Sequence, residues 1–361
     1  MTMGQAATLR EPGEQTLTMR LLRLMPGMAV LAGVGYAARL LEALMDRVAA
    51  AHGLRLPHGE YILWAIVLGM AISNTVGVPA VLRAGVATYE FWLKLGIVLL
   101  GAEFLIGDLL HLGGIALVLV AIEIVFSLAF MTMLGRGFGL RPKLVSLLAI
   151  GSAVCGVSAI LATCGVIGAD DEDTSYAIAA ILALGVISLL LFPFVGHALH
   201  MSDRSYGLWA GLAVDNTAEA TAAGALYSDA AGRVAVLTKT CRNSMLGFVV
   251  LGYAVYWGSR GQAKIVTNKA RFLWNKFPKF VLGFLLLSAL ASAGLFNAGQ
   301  RESLRNLSRW AFLLAFVGVG FRTNLRELKR QGARPFVVGT LGEVAIAVIT
   351  LGLVWGAARM L

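Results

Sequence analysis

The sequence predicts an all-α, polytopic membrane protein: an inverted-repeat bundle with interrupted helices and about 10–11 transmembrane segments. Three observations carry that expectation. The 361 residues are 58% hydrophobic and only 14% charged, against about 25% charged in a soluble domain, and the mean hydropathy is +0.79. The apolar residues fall in runs of membrane-spanning length separated by short basic connections. The 42 glycines are spread through those runs without a collagen period, as in membrane helices whose backbones approach closely. A net charge of +10 would suit nucleic acid, but the bases lie mainly in the loops, which excludes that partner.

In chain order, residues 1–25 form a polar tail, expected in the cytoplasm and without a cleavable signal. Residues 26–361 form a single transmembrane domain. The candidate segments are 26–46, 61–80, 90–107, 112–134, 144–168, 175–198, 206–225, 233–257, 279–298, 308–321 and 335–356. A crossing helix needs about 20 residues, so 90–107 and 308–321 are weak. Segment 206–225 is also weak because it contains Asp215, Asn216 and Glu219. With the N-terminus inside and strict alternation, most of the 30 basic residues fall in inside loops. The acidic run Asp170–Asp173 then falls outside, Arg204 falls inside, and the C-terminus lies outside.

An internal repeat is also legible. Residues 57–134 match residues 278–356 at an offset of about 220. Pro57 pairs with Pro278, Gly101 with Gly320, Asp108 with Glu327, Gly113 with Gly332 and Glu123 with Glu343. Seven segments separate the two starts, and an odd separation makes the repeats inverted, an arrangement common in secondary transporters.

Three stretches carry candidate chemistry. In Gly151–Ser175 the small and polar residues Gly151, Ser152, Cys155, Gly156 and Ser158 interrupt an apolar run. They suit a close helix crossing, or an anion held by backbone amides and hydroxyls at a half-helix N-terminus. In Gly207–Gly224, Asp215 and Glu219 are four residues apart and share a helix face, with Asn216 and Thr217 between them. Ionisable groups inside a membrane are costly and mark function; the alternative is a solvated surface turn. In the following segment Lys239 and Arg242 lie about one helical turn apart. They can compensate an anionic substrate, pair with Asp215 or Glu219, or snorkel to an interface. Glu123 and Glu343 sit inside apolar helices, as proton carriers or as protonated hydrogen-bonding anchors. Asn74, before Pro79, caps backbone at a break or simply ends a helix. Cys155, Cys164 and Cys241 lack disulfide or metal-site spacing. No nucleophile–base pair or nucleotide-binding loop is evident, so neither an enzyme nor an ATP-driven pump is expected, and no cofactor or metal.

The strings GSAVCGVSAILAT, GLWAGLAVDNTAEATAAG, LTKTCRNSMLG and GVGFRTNLRELKRQGARP, taken in order, resemble the YeiH family. That family is also called UPF0324 and is provisionally described as sulfate exporters. The resemblance runs from about Met25 to Met360. It implies a bacterial inner-membrane protein of the cation:proton antiporter and anion transporter superfamily, with inverted repeats and interrupted helices. The family's ICGASA-like string falls on Val154–Ala159, and its basic pair on Lys239 and Arg242. Its HDTAQ-like string falls on Asp215–Glu219 with changes: Asp215 stands in place of His, Asn216 of Asp and Glu219 of Gln. This site is therefore more acidic than the family pattern.

The expectation is a secondary active transporter of a small anion, sulfate or a related organic anion, working by alternating access. Gly151, Ser152, Cys155, Gly156, Ser158, Asn216, Thr217, Lys239 and Arg242 are the candidate substrate residues. Asp215, Glu219, Glu123 and Glu343 are the candidates for H⁺ or Na⁺ coupling. The alternative is a cation/proton antiporter centred on Asp215 and Glu219. Membrane lipid is the remaining expected partner, and a homodimer is a candidate assembly.

Overall fold

The computed structural model describes residues 17–51, 60–261, 266–323 and 333–357. Among these residues all regular structure is helical. Six helices are long and apolar enough to cross a membrane by themselves, and a pair bent by 70° makes a seventh. The expected segments are helical, but 144–168 and 206–225 turn back as hairpins, and the helices at 61–80 and 308–321 are not among those long and apolar enough to cross by themselves.

The first group of helices is built from α1 (Leu17–Ala51), α2 (Glu60–Thr75), α3 (Ala80–Val86) and α4 (Tyr89–Leu100), which ends in a 3₁₀ turn at Gly101–Glu103. The second begins with α5 (Ile106–Gly137), α6 (Pro142–Ala153), α7 (Val157–Ile167) and α8 (Asp171–Ala198). It continues with α9 (Asp203–Ala213), α10 (Thr217–Tyr227), α11 (Asp229–Ser244) and α12 (Leu246–Gly258). The chain then returns through a short surface helix, α13 (Lys269–Lys276), to α14 (Phe280–Ser292) and α15 (Ala298–Arg322), which pack on α4, α2 and α1. Finally α16 (Ala333–Ala357) crosses back to lie on α5, α8 and α9. The two groups meet mainly where α10 touches α15 and α2.

Segment 144–168 folds as a helical hairpin. Pro142 stands in the first turn of α6, where its missing N–H costs nothing. The helix stops at Val154, and Gly156 turns the chain with φ +65° and ψ −126°, a conformation open to glycine. Gly168 ends α7 in the left-handed region. The hairpin's two ends lie together: the Lys143 ammonium donates to the Gly168 carbonyl at 2.7 Å, and Arg141 pairs with Asp173 at 2.8 Å and Glu172 at 3.2 Å. Segment 206–225 does the same from the other side. Ser202 caps α9, Asn216 caps α10, and the Ser228 hydroxyl donates to Asp203 at 2.7 Å, joining the hairpin's ends.

This corrects the alternation read from the sequence. A re-entrant hairpin returns to the side it came from, so Asp170–Asp173 lies on the same side as Arg141 rather than opposite it. Arg204, at the start of the second hairpin, moves to the other side, and the second hairpin restores the original parity. Half-helices of this kind are tolerated at membrane depth only when buried in protein. Both tips are: Val154, Ala213 and Val214 are at most 1% exposed.

Helices of the two segments matched in the expected repeat pack on one another. Helices α4 and α15 correspond in the repeat and run antiparallel, with Tyr89 beside Arg322 at one end and Glu103 beside Arg305 at the other. Gly101 lies against the Phe284 carbonyl of α14, while its counterpart Gly320 lies against the Ile66 carbonyl of α2. Likewise Ser73 meets the Thr323 carbonyl at 3.2 Å, and Ser292 accepts from the Ile106 amide at 2.8 Å. Gly101 and Gly320, paired in the expected repeat, thus each sit at a close backbone crossing, one with α14 and the other with α2. Asn74 also serves this crossing, donating to the Thr323 carbonyl at 2.7 Å. The pairings of Pro57, Glu327 and Gly332 lie outside the described residues.

Candidate functional site

The hairpin tips meet: a Cβ placed on Gly156 would lie 3.6 Å from the Cα of Asn216. Helix α11 passes beside them and supplies two cations that are completely buried. Arg242 donates from Nε to the Ala153 carbonyl at 2.9 Å, from Nη1 to the Val214 carbonyl at 3.2 Å, and from Nη2 to the Ser152 carbonyl. The Lys239 ammonium donates to the Val214 carbonyl at 2.7 Å. These carbonyls are the C-terminal ends of the half-helices α6 and α9, left without partners where each helix stops. Those ends also carry partial negative charge. One arginine thus ties both tips together.

Four carboxyls surround that tie. Glu123 of α5 accepts from Arg242 Nη2 at 3.0 Å and from the Ser127 hydroxyl at 2.6 Å. Asp215 lies 4.0 Å from the same guanidinium. The Glu343 side chain reaches from α16 to face Asp215 and Ser152. Glu219 lies one turn into α10, packed against Gly185 of α8, where no side chain could be accommodated without displacing it. Glu123, Asp215, Glu219 and Glu343 are each at most 8% exposed. Four acids stand here against two fully buried bases, and two carboxyls in mutual contact cannot both remain ionised without a shared proton or a cation. The matching repeat positions Glu123 and Glu343 therefore converge on one cluster from opposite sides.

The other ends of the tips face a cavity of about 400 Å³. The N-terminus of α7 contributes Cys155, Val157 and Ser158, and that of α10 contributes Asn216 and Thr217. The opposite wall is α4, with Tyr89, Leu93, Lys94 and Ile97, and Arg322 of α15. Lys276 and Lys279 stand at the bend between α13 and α14. The lining holds four bases (Lys94, Lys276, Lys279, Arg322) and one acid, Glu90, which pairs with Lys94 at 3.5 Å. Backbone amides at the starts of α7 and α10 supply further positive character.

The sequence-derived candidates therefore divide. Cys155, Ser158, Asn216 and Thr217 line the cavity, with Gly156 at the tip between them. Gly151 and Ser152 lie behind it, as do Lys239 and Arg242, whose donors are engaged with backbone. Asp215, Glu123 and Glu343 form the buried cluster beyond Arg242. Tyr89, Lys94, Lys276, Lys279 and Arg322 were not singled out from the sequence. Lys276, Lys279 and Arg322 read as ordinary loop or helix-end cations; Lys94, inside the candidate segment 90–107, was the one available signal. Glu103 pairs with Arg233 at 3.5 Å and Arg305 at 3.4 Å. This places it far from the cavity, since 17 residues of α15 between Arg305 and Arg322 span about 26 Å. Among the described residues no group of His, Cys, Asp and Glu is arranged to hold a metal ion.

Comparison with known proteins agrees with the architecture. The family model described as "Conserved hypothetical protein 698" matches residues 26–339. A UPF0324 membrane protein of Nitratidesulfovibrio vulgaris is 35% identical over 301 residues, 81% of this chain and 83% of its own. One from Agrobacterium fabrum is 31% identical over 353 residues, 98% of each chain. The UPF0324 membrane protein TauZ of Paracoccus denitrificans is 34% identical over 302 residues, 81% of this chain and 87% of its own. No solved structure matches. With the family model spanning most of the chain and these relatives aligned along their length, this multi-pass membrane protein belongs to the UPF0324 family.

Proposed function

We propose that this protein is a secondary transporter that carries a small anion by alternating access, with protons as the coupling ion. The observation that carries the reading is the cavity between two groups of helices: two half-helix N-termini face it, and its lining has three more bases than acids, although Lys276 and Lys279 also donate to the Ala162 and Trp274 carbonyls. Its volume falls at the lower end of sites for small organic ligands. Leu93, Ile97, Leu246 and Phe280 provide apolar wall beside the donors of Ser158, Thr217 and Asn243. That mixture favours an organic sulfonate or carboxylate over bare sulfate. The positive-inside rule turns the cavity mouth to the cytoplasm of a bacterial inner membrane, because Lys276, Lys279, Arg136 and Arg260 all lie at that end.

A second, smaller cavity lies on the same seam toward the other end, lined by Leu100, Glu103, Thr221, Ala225, Arg233, Arg309 and Phe316. On α4 the residues Tyr89, Leu93, Ile97 and Leu100 form one helical stripe that runs past both cavities. The far end is held shut by ion pairs between the two groups, Arg233 with Glu103 and Arg309 with Asp229 at 2.6 Å. Exposed pairs contribute only about 0.2–1 kcal/mol each, weak enough to open and close. With the native cysteines replaced, the double change Glu103→Gln and Arg309→Gln should raise labelling of Thr221→Cys from the far side by about two- to fivefold or more. Unchanged labelling would remove these pairs from the closure.

The buried cluster favours protons as the driving ion, and also a second reading, a cation/proton antiporter using Asp215 and Glu219. Purified protein in proteoliposomes, given labelled sulfate, sulfonates and carboxylates under imposed proton or Na⁺ gradients, separates them. Proton-driven accumulation of one anion is the expected result. Na⁺-dependent proton flux that needs Asp215 or Glu219, with no anion movement, would establish the second reading instead.

A further inference from the structure

A separate groove of about 660 Å³ opens sideways between α5 and α12, with α6 as its floor. Leu128, Val145, Val249 and Gly252 line its length, and Arg136, Arg260 and Tyr256 stand at one end. The lips of α5 and α12 are apolar and face outward: Val125 is 69% exposed, Met133 64% and Val255 57%. This is the part of the surface that meets hydrocarbon. The basic end is organised. Arg136 donates to the Tyr256 hydroxyl at 3.0 Å, and the Arg260 guanidinium lies 4.4 Å from the centre of the same ring. Lys143 stands nearby, its ammonium 5.8 Å from the Trp257 ring.

Among the described residues no acid lines the groove. The neighbouring carboxylates Asp170, Glu172 and Asp173 are engaged by Arg141 instead. Arg136 and Arg260 therefore present net positive charge at the end of an apolar slot, at the membrane depth where phospholipid headgroups sit. We propose that this groove binds one anionic phospholipid, its phosphate between Arg136 and Arg260 and an acyl chain along Leu128 and Val249. The chemistry is that of basic pockets between membrane helices that hold anionic lipid headgroups. The site is distinct from the hairpin cavity, and its occupancy does not depend on what the protein transports.

Gly252 provides a sharp test, because a side chain at this position would meet nothing within 4 Å and would project into open groove. Purified protein would be exchanged into detergent with phosphatidylglycerol or phosphatidylcholine, and lipid retention read by native mass spectrometry. The wild-type protein should retain phosphatidylglycerol preferentially. Each basic group near an anionic headgroup contributes about 1 kcal/mol, a factor of about five. Arg136→Gln with Arg260→Gln should therefore remove most of that preference, while Arg47→Gln, at the other end of α1, should not. Gly252→Leu should displace both lipids, with monodispersity in detergent confirming the fold. Equal retention of the two lipids, or a preference that survives the double change, would overturn the proposal. So would a dimer of the wild-type protein that dissociates on Gly252→Leu, since a second copy would then fill the groove.

Discussion

Replacing Arg242 with Gln should destabilise the folded protein by about 3–5 kcal/mol, the range seen when one partner of a buried ion pair is removed. The change takes away donors to Ala153, Val214 and Ser152, and leaves Glu123 without its cation. Lys239 cannot substitute, because its three-hydrogen head is already bound at the Val214 carbonyl and carries no planar fork. Thermal unfolding in detergent would measure the loss. Adding Glu123→Gln should recover part of it, since the double variant no longer buries an unpaired carboxylate; the carbonyls of the hairpin tips stay unsatisfied, so recovery is incomplete. If Arg242 acted chiefly by touching substrate, Arg242→Gln would leave unfolding unchanged and abolish only anion-dependent stabilisation. That result would return Arg242 to the cavity wall.

Gly156→Ala should disable the cavity from a different direction. Its backbone sits at φ +65° and ψ −126°, where an L-residue costs about 1–3 kcal/mol. The added Cβ would also lie 3.2 Å from Ile181 of α8, which has to give by a few tenths of an ångström, and in ordinary contact with Asn216 at 3.6 Å. The expected outcome is a folded but less stable protein that has lost stabilisation by its anion, because the first amides of α7 and α10 no longer aim at one point. Gly168→Ala is the control. Gly168 ends the same hairpin in the ordinary left-handed region, φ 63° and ψ 41°, and has no part in the cavity. It should cost about 1–2 kcal/mol while anion-dependent stabilisation survives. Equal loss in both variants would mean that the hairpin responds to any strain, and would withdraw the special role of its tip.

The two variants also mark where sequence reasoning stops. The unusual stretch around Gly156 and the acid pair Asp215 and Glu219 were visible because small and ionisable residues are costly or unproductive on a lipid-facing helix. The repeat was read from several pairs at nearly the same spacing, Gly101 with Gly320 at 219 and Glu123 with Glu343 at 220. What the charge pattern could not reveal was that two segments turn back. A hairpin of two half-helices has nearly the length and hydropathy of a single crossing, and Asp/Glu contribute little to orientation. Two such errors cancel in parity, so they leave the expectation for the chain ends unchanged, while the connections at Asp170 and Arg204 exchange sides relative to it.

The role of Lys239 and Arg242 was open for a related reason: one helical turn of spacing places both cations on one face, but says nothing of what that face meets. Composition and segment periodicity are local properties of the chain, and they determined by themselves that this is an all-helical, multi-pass membrane protein. Only the tertiary structure decided that the carbonyl ends of α6 and α9 meet Arg242 while the amide ends of α7 and α10 face the cavity. That arrangement depends on contacts between residues 89 positions apart for Arg242 and Ala153, and 119 apart for Arg242 and Glu123. Contacts at such separation leave no periodic trace in the chain.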